Sequence, residues 1–145
     1  TGGVMEAALR TTVEILTNKP AEKIDFHEAR GMQGIKEASY IINERQINIA
    51  IVNGIGNVEE LLDKIKNGER NYDFIEVMAC PEGCIAGGGQ PCNYTKDRKK
   101  RAIGLYRIDK VQQIKISGQN PTIKQIYDEI IKGDSHHLLH VNYKK

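Results

Sequence analysis

The sequence predicts an α/β fold: a mixed, largely parallel sheet flanked by helices, with a helical C-terminal tail. Apolar strand-like runs alternate with stretches of helical periodicity, and the connections between them are short. The mostly apolar strand Phe74-Ile75-Glu76-Val77-Met78 leads straight into a loop rich in cysteine and glycine, and open α/β sheets hold ligands at the carboxyl ends of their strands. The 145 residues contain no internal repeat and no low-complexity linker, which suits one ordinary domain or a large part of one.

After the Thr1-Gly2-Gly3 opening, Met5, Ala8, Leu9, Thr12, Ile15 and Leu16 recur at helical spacing, and Asn18-Lys19-Pro20 stops the helix. The glycine pair running into this helix is either a tight entry turn or an anion site at a helix N-terminus. Residues 24–30 read as a strand broken by Gly31 and Gly34. His27, within it, reads as a surface or satisfied strand histidine, because no second histidine lies nearby. Two strands follow around the polar Asn43-Glu44-Arg45-Gln46, the second running from Ile47 to Val52. Asn53-Gly54-Ile55-Gly56 is a turn before a helix that Asn57 can cap, with Glu60 completing a capping box. Val58, Leu61, Leu62 and Ile65 form its core face, and Gly68 ends it. The Gly54-x-Gly56 pair lacks the third glycine of a dinucleotide fingerprint.

Beyond Pro91, the basic run from Lys96 to Arg101 opens a helix carrying Ala102, Leu105 and Tyr106. This run is either a solvated face or a landing site for an acidic redox partner. No aromatic residues interleave with its charges, which disfavours nucleic acid. Asn120 caps and Pro121 starts the next helix, whose Ile123, Ile126, Tyr127 and Ile130 make one apolar stripe; Gly133 ends it. His136, His137 and His140 sit among Leu138, Leu139 and Tyr143 and read as packing and surface residues rather than a metal tract.

The chemistry concentrates in Cys80 and Cys84, four residues apart and followed by Gly87-Gly88-Gly89-Gln90-Pro91. If Cys80 caps a helical turn with Pro81 at its first position, both thiols lie on one face, about 5–6 Å apart at Cβ. Two soft thiolates so placed suit iron–sulfur, zinc or copper(I), and the glycines let backbone approach a bulky group. No second close cysteine pair exists, so structural zinc is disfavoured, although a site of Cys80, Cys84, Cys92 and one histidine stays open. A catalytic thiol would need a base, and none is evident. Three free cysteines are the remaining reading.

A net charge of +2 neither demands nor excludes nucleic acid. The longest apolar run, Ile49-Ala50-Ile51-Val52, is too short to cross a bilayer, and no signal peptide opens the chain. Three cysteines cannot all pair with one another, so a reducing, cytoplasmic location is expected. Thr1 in place of Met suggests an excised segment or lost upstream sequence.

The run from Glu76 to Pro91 resembles the third cysteine motif of the [FeFe]-hydrogenases, the iron-only hydrogenases. Thr1 to Arg10 is similar to the glycine-to-helix segment of that family's active-site domain. Arg30-Gly31-x-x-Gly34-Ile35-Lys36-Glu37-Ala38 and Val52-Asn53-Gly54 resemble its central strands, and Leu138-Leu139-His140-x-x-Tyr143 its C-terminal signature. The resemblance implies one lobe of a two-lobed catalytic domain: residues 1–145 as a single incomplete domain, with a small-subunit-like helical segment at about 120–145. It implies reversible reduction of protons to dihydrogen at an H-cluster, a [4Fe–4S] cubane joined to a two-iron unit carrying CO, cyanide and a dithiolate.

By position, Cys80 and Cys84 would be two of the four cluster ligands, with Cys84 bridging to the two-iron unit. Val4, Met78, Gly87 and Gly88 would line the cofactor pocket. The other two ligands and the proton-relay groups belong to a missing N-terminal half, so no catalytic residue is assigned here and the chain alone is expected to be inactive. Expected partners are that N-terminal lobe or a second subunit, and a ferredoxin or accessory iron–sulfur domain as electron source, with neither nucleic acid nor membrane. The alternative is a non-catalytic relative, a cytosolic iron–sulfur assembly protein or a sensory module. Glu82 stands where the family often has glycine; unless it points outward or pairs with a cation, its charge should lower the cluster potential. Cys92 has no family role.

Overall fold

The computed structural model describes residues 2–21, 26–31, 34–90 and 95–141. Its elements run α1 (Gly3–Thr17), β1 (Ile35–Ile42), β2 (Arg45–Asn53), α2 (Val58–Lys66), β3 (Phe74–Met78), α3 (Thr95–Val111), α4 (Pro121–Ile126) and α5 (Ser135–Leu139), with short 3-10 turns between several of them. The three strands form one sheet in chain order. β1 pairs antiparallel with β2, and β2 pairs parallel with β3. The sheet is mixed, and its parallel pair carries the cysteine loop.

Central strand β2 is buried on both faces from Ile49 to Asn53, which is why Ile49-Ala50-Ile51-Val52 shows no polar alternation. On one face Ile47, Ile49 and Ile51 pack with Met5, Leu9 and Val13 of α1 and with Phe26 and Ala29. On the other, Ala50 and Val52 meet Leu61 of α2, with Val58 and Ile65 beside it. Leu62, expected in this core, is 54% exposed; one residue past Leu61, it is turned about 100° around the helix.

Local signals explain most boundaries. α1 stops at Asn18, whose φ of 53° is left-handed and whose N–H donates to the Glu14 carbonyl at 2.8 Å. Asn43 and Glu44 both have positive φ, 50° and 65°, as a two-residue hairpin turn matched to the strand twist requires. Asn120 accepts from the Thr122 N–H at 3.0 Å, with Pro121 first in α4. Asn57 departs from expectation: its side chain makes no cap bond and instead donates to the Asn53 carbonyl at 2.5 Å.

Two further expectations are corrected. Of the strand predicted over residues 24–30, the first two lie outside the described residues, and His27–Ala29 is a 3-10 turn. The Phe26 N–H reaches a Glu6 carboxylate oxygen at 3.3 Å, and the Ala29 carbonyl accepts from Lys36 Nζ at 2.7 Å. Side chains thus take backbone groups that a strand would have paired. His27 is exposed, as expected. The second correction lies after α4, where Tyr127–Ile131 winds as a π-turn closed by Lys132 N–H to the Tyr127 carbonyl at 2.9 Å. That wider turn shifts the helical phase. Ile131 is buried at 7% exposure, and Ile130, predicted for the apolar stripe, is 70% exposed.

A buried ionic cluster joins α3 to the rest. The Glu6 carboxylate meets Arg10 at 2.8 Å and Arg30 at 2.8 Å, and Arg30 continues to Asp109 of α3 at 3.2 Å. Tyr106 adds its ring beneath the Arg30 guanidinium, 5.0 Å away, and its hydroxyl accepts the Gly31 N–H at 3.1 Å.

Candidate metal centre

Backbone bonds place the cysteine loop. β2 and β3 end side by side, so the turn after β2 holds the chain leaving β3: Gly54 N–H donates to the Met78 carbonyl at 2.8 Å and Ile55 N–H to Ala79 at 3.2 Å. Gly54 has a φ of 82°, and a Cβ there would stand 3.6 Å from Pro81 Cγ. The cysteine loop therefore starts against its neighbouring turn, at the carboxyl end of the parallel pair.

Cys80 to Gly83 is a β-turn closed by the Gly83 N–H on the Cys80 carbonyl at 3.1 Å. Pro81 takes its second position and Glu82 its third, with φ 79° and ψ 5°, which is type II geometry. A left-handed glutamate costs about 1–2 kcal/mol where glycine would cost little. A 3-10 turn, Gly83–Ala86, follows. The helical turn expected to be capped by Cys80 and to start at Pro81 thus begins two residues later, at Gly83, with Cys84 inside it and Cys80 before it.

Both thiols are unbridged and exposed. A Cβ at Gly87 would lie 3.9 Å from Cys80 Sγ and 3.7 Å from the Cys84 carbonyl, so Gly87 backs onto both cysteines; Gly88 and Gly89 face open space. Among the described residues, no group of three His, Cys, Asp or Glu side chains comes together to hold a metal. Cys92 and Pro91 lie outside the described residues, as does Tyr143 of the C-terminal signature. The exposed His136 and His140 rings lie 5.1 Å apart at the surface and join no such group. Two soft, open thiols on a glycine loop fit half of a four-thiolate cluster site better than a closed structural zinc site.

The other expected pocket residues lie at the same end of the sheet. Met78 is half-buried at the end of β3, and Val4, 66% exposed, is in the first turn of α1. That helix start is held by Glu76, two residues before Met78: its carboxylate accepts Gly2 N–H at 2.8 Å and Met5 N–H at 2.7 Å. The anion at this helix N-terminus is the protein's own. Lys36, in the same cross-strand row as Ile51 and Glu76, is buried on this face. Burial pushes its ammonium down to about 8, and the nearby Glu76 charge partly offsets that.

Sequence reasoning missed Glu76 as a cap. The available signal was a carboxylate at an inward position of an apolar strand. It also missed two arginines of the basic run. Arg98 of α3 pairs with the Glu82 carboxylate, and Arg101 Nη1 donates to the Ile85 carbonyl at 2.8 Å. Lys99 and Lys100 of the same run are exposed.

Residues 1–88 match the family described as iron only hydrogenase large subunit, C-terminal domain, and residues 95–145 match iron hydrogenase small subunit. The chain is 42% identical, over its whole length, to the NADP-reducing hydrogenase subunit HndD of Solidesulfovibrio fructosivorans, and spans 26% of that protein. It is 32% identical over 90% of its length to a probable cytosolic Fe–S cluster assembly factor of Drosophila willistoni, covering 28% of it. A solved structure of a variant of the [FeFe]-hydrogenase HydA1 from Chlamydomonas reinhardtii superposes with a TM-score of 0.78 at 35% identity, over 99% of this chain and 44% of that one. No helix among the described residues is long and apolar enough to cross a membrane. With family matches over residues 1–88 and 95–145, and 42% identity along all of its own length to a hydrogenase subunit, this chain belongs to the iron-only hydrogenase family.

Proposed function

We propose that this chain is the C-terminal part of an [FeFe]-hydrogenase, and that Cys80 and Cys84 supply two of the four thiolates of its H-cluster. The observation that carries this reading is the pair of exposed, unbridged thiols backed by Gly87 at the carboxyl end of the parallel strands. The cluster, when bound, would supply the reversible reduction of protons to dihydrogen. The chain's own residues would ligate it, orient it and keep water away. Gly87 and Gly88 leave room for backbone to approach the cluster, and Met78 and Val4 would wall the two-iron side.

The reading treats residues 1–145 as one incomplete domain, with the remaining ligands and the proton-relay groups on an N-terminal lobe or second subunit. Apolar side chains left open on β3 (Ile75 at 42% and Val77 at 45% exposure) and on α3 (Ile103 at 51%, Leu105 at 55%) support a further lobe packing here. A ferredoxin or accessory iron–sulfur domain would deliver electrons, and the expected compartment is the cytoplasm.

The second reading is a non-catalytic iron–sulfur assembly protein, favoured by the match to the Drosophila factor. The greater identity to HndD, over the full length, supports catalysis. Infrared spectra of the complete protein separate the two: CO and cyanide bands are expected for a hydrogenase, and their absence from an anaerobically matured sample with full iron content would favour the assembly reading. The 145-residue chain alone is expected to evolve no hydrogen, and turnover by it unaided would overturn the division of ligands. Iron and sulfide bound after anaerobic reconstitution should fall in Cys80→Ser/Cys84→Ser.

A further inference from the structure

We propose that α3 holds the cysteine loop in its ligating shape through Arg98, so that a segment donating no metal ligand still completes the metal site. The inference rests on the reading of Cys80 and Cys84 as metal ligands. Glu82 lies between the two cysteines, and its left-handed backbone sets the direction in which the chain travels from Cys80 to Cys84. Glycine would take that conformation freely; glutamate takes it against a steric penalty, so something else must hold it. The Glu82 carboxylate is held by Arg98, with both side chains about one-third exposed or less. One turn further along α3, Arg101 grips the Ile85 carbonyl on the other side of Cys84. The two arginines therefore bracket Cys84, and α3 is itself anchored through Asp109 and Tyr106 to Arg30 and Gly31.

The pair also answers the charge problem that Glu82 poses. A carboxylate two residues from each thiolate would disfavour a cluster that carries negative charge, and the Arg98 guanidinium compensates it. Arg98 is thus a positioning residue, acting on the thiols through Glu82. Lys99 and Lys100 of the same run are exposed and have no part in this; Lys100 pairs along the helix with Asp97 at 3.8 Å.

The test compares Arg98→Gln, Arg98→Lys, Glu82→Gly and the double variant Glu82→Gly/Arg98→Gln in the full 145-residue chain. The readouts are amide exchange at Gly83 and Gly87 and cadmium(II) titration followed by thiolate charge-transfer absorption. Arg98→Gln should speed exchange and weaken cadmium binding about two- to fivefold, the range for a partly exposed pair. Arg98→Lys should restore most of both, because a positive charge remains. In the Glu82→Gly background, where neither the strain nor the carboxylate is present, Arg98→Gln should change nothing further. Equal effects of Arg98→Gln in both backgrounds, or no effect in either, would overturn the clamp. Cys80→Ser/Cys84→Ser separates the two claims. If cadmium absorption survives it, the ligand reading fails, and the clamp then stands or falls on amide exchange alone.

Discussion

Removing the Glu76 carboxylate should unfasten α1 from the sheet. Gly2, at the helix N-cap, has no side chain to satisfy the first N–H groups. Glu76 supplies that function from β3, accepting from Gly2 at 2.8 Å and Met5 at 2.7 Å while only 8% exposed. In Glu76→Gln one acceptor survives, but the new amide nitrogen faces an N–H, and the charge that opposes the helix dipole is gone. Hydrogen bonds to charged groups contribute about 1.5–3 kcal/mol each, and a charge at a helix N-terminus about 0.3–1. The expected loss is therefore about 2–3 kcal/mol for Glu76→Gln. For Glu76→Ala it is about 3–5 kcal/mol, because two buried donors lose their acceptor and Lys36 loses its neighbouring negative charge. Urea unfolding followed by far-ultraviolet circular dichroism measures this directly, with an unchanged slope expected if the denatured state is the same. A Glu76→Gln variant within about 0.5 kcal/mol of the parent would refute the cap, since surface substitutions fall in that range.

Other consequences follow from single residues. Lys36 binds its proton less readily when folded, at about 8 against an ordinary 10.5, so between those values the unfolded chain holds more protons and stability should rise with pH. Tyr72, pushed up to about 12 mainly by burial and its bond to Glu37, works the other way above pH 10, so the slope is best measured from pH 8 to 9.5. Lys36→Met should flatten it; an identical slope in the variant would remove Lys36 as its source. Gly2→Ala should destabilise strongly, because a Cβ would stand 1.8 Å from the Ala29 carbonyl oxygen at a φ of 90°, and a thermal midpoint matching the parent would contradict that packing. Glu44→Gly should stabilise by about 1 kcal/mol in chemical unfolding, by relieving left-handed strain at a φ of 65° in an exposed turn; a loss of stability would mean that the carboxylate contributes more than the strain costs.

The sequence by itself determined what neighbours along the chain decide. Helical spacing in α1 with its Asn18 stop, the hairpin over Asn43-Glu44, the Asn120-Pro121 start of α4 and the cysteine–glycine loop are all local patterns. The family could be read from them because the motif is a continuous stretch with characteristic spacing. The tertiary structure alone decided where charge is buried and what holds the loop. Glu76 reaches Gly2 across 74 positions and Arg30 reaches Asp109 across 79, and no periodicity of 2 or 3.6 encodes a partner so distant. Only Ile24 and Phe26 of residues 24–30 favour a strand, and the described part of that segment turns, with Glu6 and Lys36 capturing its backbone groups. The basic run reads as a solvated face until folding brings its Arg98 to Glu82. Local preferences amount to tenths of a kcal/mol per residue, and a buried carboxylate left without donors costs several, so the long-range contact prevails wherever the two disagree.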